Sequence, residues 1–381
     1  MIRSQFLAGL GGAAGATQVA QIAPYTATLR FAVVAPQSGA DAATGRQLIA
    51  GVTAAVDQIN RDRSPLERAL LFTAYDDHNT AADAMVQASF ATGNPETQAV
   101  IGHLSSSTTF VAQPAYANAQ IALIVPTVTD DRITARGYRN VFRLPTKDTD
   151  EGSLVAAYAI KTGAKAPHVV TQDGGYGPDV ASGFVRRAAA LHVDAPATQF
   201  SLDKPDFEKT AGAVLAKSPD CVVLAGNVAD MGPLMKMLRA KGYAGRFIGT
   251  QGFFDAQTVK EYAKEAEGLV VSSNVPYYPL APTALRDVQD YQARYGALTP
   301  VAAYGYAAVQ LIRLAVRRTN ATNRLALIRG IASGGLYDTM TGSYTFAATG
   351  DTIDPNCYFY RVTDGKFAYD RQAHPSGFML K

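Results

Sequence analysis

From Leu29 onward the chain switches repeatedly between two periodicities, and this alternation restricts its fold more than any other feature. "LRFAVVAP" is a compact apolar run of strand type, closed by Pro36 and Gly39. The next segment, "TGRQLIAGVTAAVDQIN", places Leu48, Ile49, Val52, Ala55, Val56 and Ile59 on one helical stripe. Thr44, with Gln47 three residues on, reads as a capping box at the start of that helix. "LLFTAYDD" is the next strand, "TAADAMVQASFAT" the next helix and "QAVIGH" the third strand. A run of five hydroxyl residues, Ser105 to Thr109, then leads into another helix and the strand "QIALIVP". Strands that alternate with helices in this way form a parallel sheet flanked by helices.

A similar series restarts after "NVFRLPTKDTDEG". The strands "PHVVTQD", "DCVVLAG", "GRFIGTQ" and "GLVVSSN" alternate with helices expected to start near Pro178, Phe207, Asp230 and Asp255. A last helix, "AAYGYAAVQLIRLAVRR", precedes a tail rich in Tyr, Phe and Thr that alternates as strands do between Gly/Asp turns. With 381 residues the chain exceeds one average core, so two α/β units in series are expected. The fixed period of roughly 20–50 residues that marks a solenoid is missing.

Charge and composition narrow the function classes. Thirty-five basic and 32 acidic residues are spread along the chain without a basic block, which argues against a nucleic-acid partner. No apolar run reaches the roughly 18 residues that span a bilayer. The two cysteines, Cys221 and Cys357, supply neither a disulfide framework nor a cysteine zinc site. A bond between them requires their strands to be neighbours. The opening "MIRSQFLAGLGGAAGA" has one Arg, a short weakly apolar stretch and small residues near Ala14 and Ala16. It reads either as a short export signal or as a Gly/Ala-rich leader.

Open parallel sheets bind ligands beyond the carboxyl ends of their strands. In the first unit those loops are "PQSGADAATG" (36–45), "HLSSSTT" (103–109) and "PTVTDD" (126–131). In the second they are "TQDGGYGPD" (171–179), "AGNVADM" (225–231) and "GTQGFFD" (249–255). Two such sets facing each other make a cleft suited to a small ligand. Ser106, Ser107 and Thr108 fall where a strand ends and a helix begins, beside unpaired N–H groups at the positive end of the helix dipole. Two readings are open: a neutral cradle for a carboxylate or phosphate, or plain N-capping by one serine.

Enzymatic readings find less support. No G-x-S-x-G elbow occurs, and no P-loop or G-x-G-x-x-G follows the first strand. His103 lies two residues before Ser105, but a strand-end histidine without a declared acid reads as structural. The pairs Asp76–Asp77 and Asp130–Asp131 lack the spacing of a calcium loop and read as solvated caps.

The segments "LRFAVVAPQSGADAATGRQLIAGVTAAVDQIN", "YDDHNTAADAM", "VIGHLSSSTTFVAQPAY", "IVPTVTDDRITARGYRNVFRL", "DGGYGPDVASGF" and "AAYGYAAVQ" together resemble the leucine/isoleucine/valine-binding proteins. These are type I periplasmic solute-binding proteins of ABC transporters. The resemblance covers nearly the whole chain from residue 29, with the segments in family order. It implies an α/β fold of two Rossmann-like lobes with parallel sheets, joined by three crossovers and closing on a ligand. Lobe I is then expected at 28–143 plus 274–343, lobe II at 144–273 plus 344–381, and an export signal or leader at 1–27. It further implies an exported, periplasmic monomer that takes an amino acid or related carboxylate to an ABC permease, without cofactor, metal or chemistry.

By position, the resemblance puts the ligand's α-carboxylate on Ser106 and Thr129, flanked by Leu104, Ser105 and Ser107, with the backbone of Val128 near the α-ammonium. Tyr176 matches a tyrosine that closes over the ligand from the second lobe. Departures are concentrated in the same site. Gln251 stands where the branched-chain binders place the acid that pairs with the ammonium, Asn227 replaces a tyrosine and Thr44 an aromatic. The family disulfide near the serine cluster is replaced by Asn79 and Ser105. An altered ligand is therefore expected: either an acid such as Asp173 or Asp255 substitutes for the missing charge, or the ligand lacks an ammonium. The alternatives are an aromatic carboxylate or a ligand-sensing receptor domain of the same fold.

Overall fold

A computed structural model describes residues 28–63, 68–280, 282–321, 323–355, 357–373 and 379–380. The leader read at 1–27 lies outside these residues. The first lobe is built on strands β1 (Thr28–Val34), β2 (Ala69–Tyr75), β3 (Thr97–Gly102), β4 (Ala122–Val125) and β5 (Val141–Arg143). They pair in the order β2-β1-β3-β4-β5, all parallel. Helices α1 (Ala42–Asp62), α2 (Ala81–Gly93), α3 (Ser106–Asn118) and the single turn α4 (Arg132–Ala135) connect them.

The chain then crosses to the second lobe at α5 (Asp148–Lys161). There strands β6 (Pro167–Gln172), β7 (Ala197–Phe200), β8 (Cys221–Ala225), β9 (Arg246–Gly249) and β10 (Val270–Ser273) pair in parallel. Their helices are α6 (Gly177–Ala190), α7 (Phe207–Leu215), α8 (Val228–Ala240) and α9 (Ala256–Glu261). A second crossing leads to α10 (Pro282–Tyr295), α11 (Pro300–Thr319), α12 (Arg324–Ala332) and the hairpin β11 (Tyr337–Thr339) and β12 (Gly342–Tyr344). A third returns the chain as β13 (Cys357–Thr363), β14 (Lys366–Ala373) and β15 (Met379–Leu380), antiparallel on the edge of the second sheet. The second sheet is therefore mixed rather than parallel throughout.

Residue alternation explains the layers. Successive strand side chains point to opposite faces. Phe31 and Val33 accordingly enter a core shared with α1, α11 and α12, while Ala32 and Val34 enter one shared with α2 and α3. In the second lobe Val169 and Val223 face α5 and α6, and Val170, Val222 and Leu224 face α7 and α8. Strands covered on both faces read as unbroken apolar runs, which is why they stand out in the sequence.

Three expectations change. Helix α1 begins at Ala42, not at Thr44, and its N-cap Asp41 makes no side-chain cap bond. Ala42 and Ala43 favour helix and carry it past the expected box. Strands β9 and β10 separate Cys221 from Cys357, and both thiols are buried and free. Three strand spacings place them about 14 Å apart, beyond the roughly 7 Å a disulfide can bridge. Tyr344 and Phe346 still pack in the first core, and the N–H of Arg143 donates to Gly350 O at 2.9 Å. We propose that the third crossing lies beyond Asp351, some residues later than the boundary drawn at 343.

Candidate ligand-binding cleft

In each lobe the strand order reverses beside a central strand, β1 in the first and β6 in the second. Loops that leave a sheet on either side of such a point diverge and open a crevice. Between the lobes lies a cavity of about 470 Å³. The first lobe lines it with Ser106 at the start of α3 and with Thr129, Asp130 and Arg132 after β4. Asp148 enters from the first turn of α5, and Gly175, Tyr176 and Asp179 from the loop after β6 and the start of α6.

The hydroxyl run divides its work. Ser105 caps α3, accepting from the N–H of Thr108, and the hydroxyls of Thr108 and Thr109 donate back to its carbonyl at 3.1 and 2.7 Å. Ser106 is thereby left on the cleft wall, beside the unpaired N–H groups of the helix start. Ser107 is exposed. The Thr127 hydroxyl donates to Leu104 O at 2.9 Å and ties this loop to the one carrying Thr129.

Arg143 supports the Thr129 loop from below. Its buried guanidinium donates to the carbonyls of Thr129 (2.9 Å) and Asp130 (2.6 Å), to the Thr134 hydroxyl and to Asp351. The N–H of Asp148 in turn donates to Thr129 O at 3.0 Å, and Asp131 accepts from both the N–H and the hydroxyl of Thr149. Loop and helix start are therefore held as one unit.

Asp148 is the unusual member. It is 3% exposed, and its Oδ1 has no hydrogen-bond partner. Burial pushes its carboxyl up to about 8; a hydrogen bond from Thr129 opposes that shift, while Glu151 and Asp131 add to it. Asp179 is also raised, by burial and then by the nearby Asp131 and Asp130. Asp130 and Arg132 by contrast neutralise each other through a fork with contacts of 2.6 and 3.0 Å.

A buried carboxylate lies behind Tyr176. The Tyr176 and Ser272 hydroxyls donate to Glu151 at 2.5 Å each, and the Gln251 N–H donates to it at 2.8 Å. Burial pushes the Glu151 carboxyl up against these three donors, each of which favours its charged form. The side chain of Gln251 is engaged elsewhere, its Oε1 accepting from Asn274 Nδ2 at 2.7 Å.

Of the residues anticipated from the sequence, the cavity brings together Ser106, Thr129 and Tyr176. The Val128 side chain packs in a core cluster of the first lobe, Asn227 is exposed at the start of α8 and Thr44 is half-buried in the first turn of α1. Leu104, Ser105, Ser107, Val128, Asn227, Gln251 and Thr44 do not line the cavity. The acids expected to replace the missing charge also lie outside it. Asp173 accepts from the Leu202 N–H, and Asp255 caps α9 through the Gln257 N–H. Asp148, Glu151 and Asp179 are the acids the sequence reading missed. The first two lie in "DTDEG" and Asp179 closes "GGYGPD", and acids in the first turn of a helix look like ordinary complements to its dipole.

Asp77 is not a solvated cap. It is fully buried and holds His103 Nδ1 at 2.6 Å, while His103 Nε2 meets the Tyr116 hydroxyl at 2.9 Å. With both ring nitrogens engaged, His103 has none to offer a serine. Among the described residues no group of three or more His, Cys, Asp or Glu side chains is placed to hold a metal ion.

Comparison with known proteins agrees with this architecture. A family model described as periplasmic binding protein matches residues 28–366. The Leu/Ile/Val-binding protein homolog 3 of Brucella melitensis is 24% identical over 345 residues, covering 89% of this chain and 93% of that protein. An ABC transporter substrate-binding protein of Desulfitobacterium hafniense, solved in complex with Leu, superposes with a TM-score of 0.77 at 23% identity. That superposition covers 90% of this chain and 100% of the other. A solute-binding protein of an ABC transporter from Rhodopseudomonas palustris, in complex with 3,4-dihydroxy benzoic acid, superposes at 0.74 and 19% identity, covering 91% and 97%. With the family match running through both lobes and the cleft between them, the chain belongs to the periplasmic binding protein family.

Proposed function

We propose that this protein is the extracytoplasmic solute-binding component of an ABC importer and holds an amino acid between its lobes. The ligand's carboxylate lies against Ser106 and Thr129, and its ammonium against Asp148. The buried, unpartnered Oδ1 of Asp148 carries this reading. An orphaned carboxyl oxygen is costly in a closed site and is satisfied by a cationic donor. The charge missing at Gln251 is thus supplied from the first turn of α5, because an ammonium beside Asp148 favours its ionised form over the proton that burial otherwise holds there. A benzoate-like ligand without an ammonium would leave both Asp148 and Asp179 facing its own carboxylate, which disfavours that reading. The protein acts by binding alone, as a periplasmic monomer that delivers its ligand to a membrane permease. Among the described residues no helix is long and apolar enough to cross a membrane.

A thermal-shift screen of amino acids beside aromatic and aliphatic carboxylates tests this. Stabilisation by one or more α-amino acids, and none by benzoates, is the expected outcome. Stabilisation by benzoates alone would overturn it.

A further inference from the structure

The cleft walls carry more information than the presence of an ammonium. No aliphatic side chain lines the cavity. A leucine-type side chain gains roughly 0.8 kcal/mol per buried CH2 only where apolar surface receives it, and here, apart from the Tyr176 ring, it would meet hydroxyls and carboxyls. Three of the lining residues are acids, Asp130, Asp148 and Asp179, against one guanidinium. The Asp130–Arg132 fork removes one acid from this count and the guanidinium with it.

Two carboxyl groups are left, both on the second-lobe side, with the Arg132 and Arg186 guanidinium groups near enough to Asp179 to favour its charged form. Asp148 sits in the first turn of α5 and Asp179 in the first turn of α6. These helices approach so closely that a Cβ on Gly152 would lie 1.9 Å from Val180 O, and one on Gly183 2.1 Å from Thr149 O. The two first turns are therefore adjacent and rigidly paired. Acidic side chains at helix starts are ordinary, but the buried Oδ1 of Asp148 without any partner is not. Asp148 is also joined to Thr129, at the carboxylate end of the cleft, through its N–H and a side-chain hydrogen bond. The α-ammonium of an amino acid would meet Asp148 and leave Asp179 facing the ligand's side chain.

Building on the amino-acid reading above, we propose that the ligand is a basic amino acid, with its α-ammonium on Asp148 and a second cationic nitrogen on Asp179. An organic rather than an inorganic cation fits, because among the described residues no three acidic, histidine or cysteine side chains converge on a metal position. Tyr176 would cover the aliphatic stem between the two charges, as aromatic faces do for lysine and arginine chains.

Calorimetric titration with matched pairs tests the proposal: lysine against norleucine, and arginine against citrulline. In the wild-type protein at least one cation should bind about tenfold or more tightly than its neutral isostere, and Asp179→Asn should bring that ratio toward one. Norleucine and citrulline each binding as tightly as its cationic partner would overturn the proposal and leave the amino-acid reading standing. If no α-amino acid binds while an aromatic carboxylate does, both fall. The isostere comparison in the unmutated protein decides the question even if Asp179→Asn fails to fold.

Discussion

At the scale of single residues, Asp148 links the cleft to pH. Its ordinary carboxyl value is 3.8, and burial in the folded protein raises it to about 8. Between these limits the folded state holds a proton that the unfolded state has released. The stability this contributes is complete below about pH 4 and is lost as pH rises through about 8. Asp148→Asn, which cannot ionise, should flatten that slope, so that its unfolding temperature exceeds that of the wild type at pH 8–9 more than at pH 5 in ligand-free protein. Equal pH dependence in the two proteins would count against a buried, proton-holding Asp148. On the opposite wall, Ser106→Ala and Thr129→Ala should each weaken ligand binding by about 1–3 kcal/mol, since each removes a hydrogen bond to a charged group. Unchanged affinity in both variants, measured by calorimetry, would remove the carboxylate from that position.

Among the elements, α5 and α6 govern the geometry of the site, because Asp148 and Glu151 project from one and Tyr176 and Asp179 from the start of the other. Gly152 and Gly183 permit their close approach, and the atoms a Cβ would strike are backbone atoms that cannot swing away. Gly183→Ala should therefore cost about 1–3 kcal/mol of stability and loosen the cleft, read as a lower denaturant midpoint together with weaker ligand binding. A variant as stable as the wild type would show that the helices have room to separate. How the elements appeared in the sequence follows from the same physics. The strands buried on both faces were legible as apolar runs. The three-residue β5, and β7 with its partly exposed "ATQF" at the sheet edge, were not, because neither carries a continuous apolar signal. Ser106, Thr129 and Tyr176 were legible because strand-end loops are where such folds bind. Arg143 and Glu151 were not: a charged residue reads as solvated until tertiary structure buries it among partners.

For the whole molecule, the lobes face each other across the cleft, a seam along which they can move together. Ligand bound to both walls should hold them closed, so small-angle scattering should report a smaller radius of gyration at saturation. No change would mean a rigid site within one lobe. The most direct test is a crystal structure of the complex with an amino acid selected by the thermal-shift screen. The ligand nitrogen is predicted within about 3 Å of Asp148 Oδ1, and its carboxylate within about 3 Å of donors on Ser106 or Thr129. A ligand bound outside the cleft, or one that leaves Asp148 Oδ1 unpaired, would contradict the proposed site.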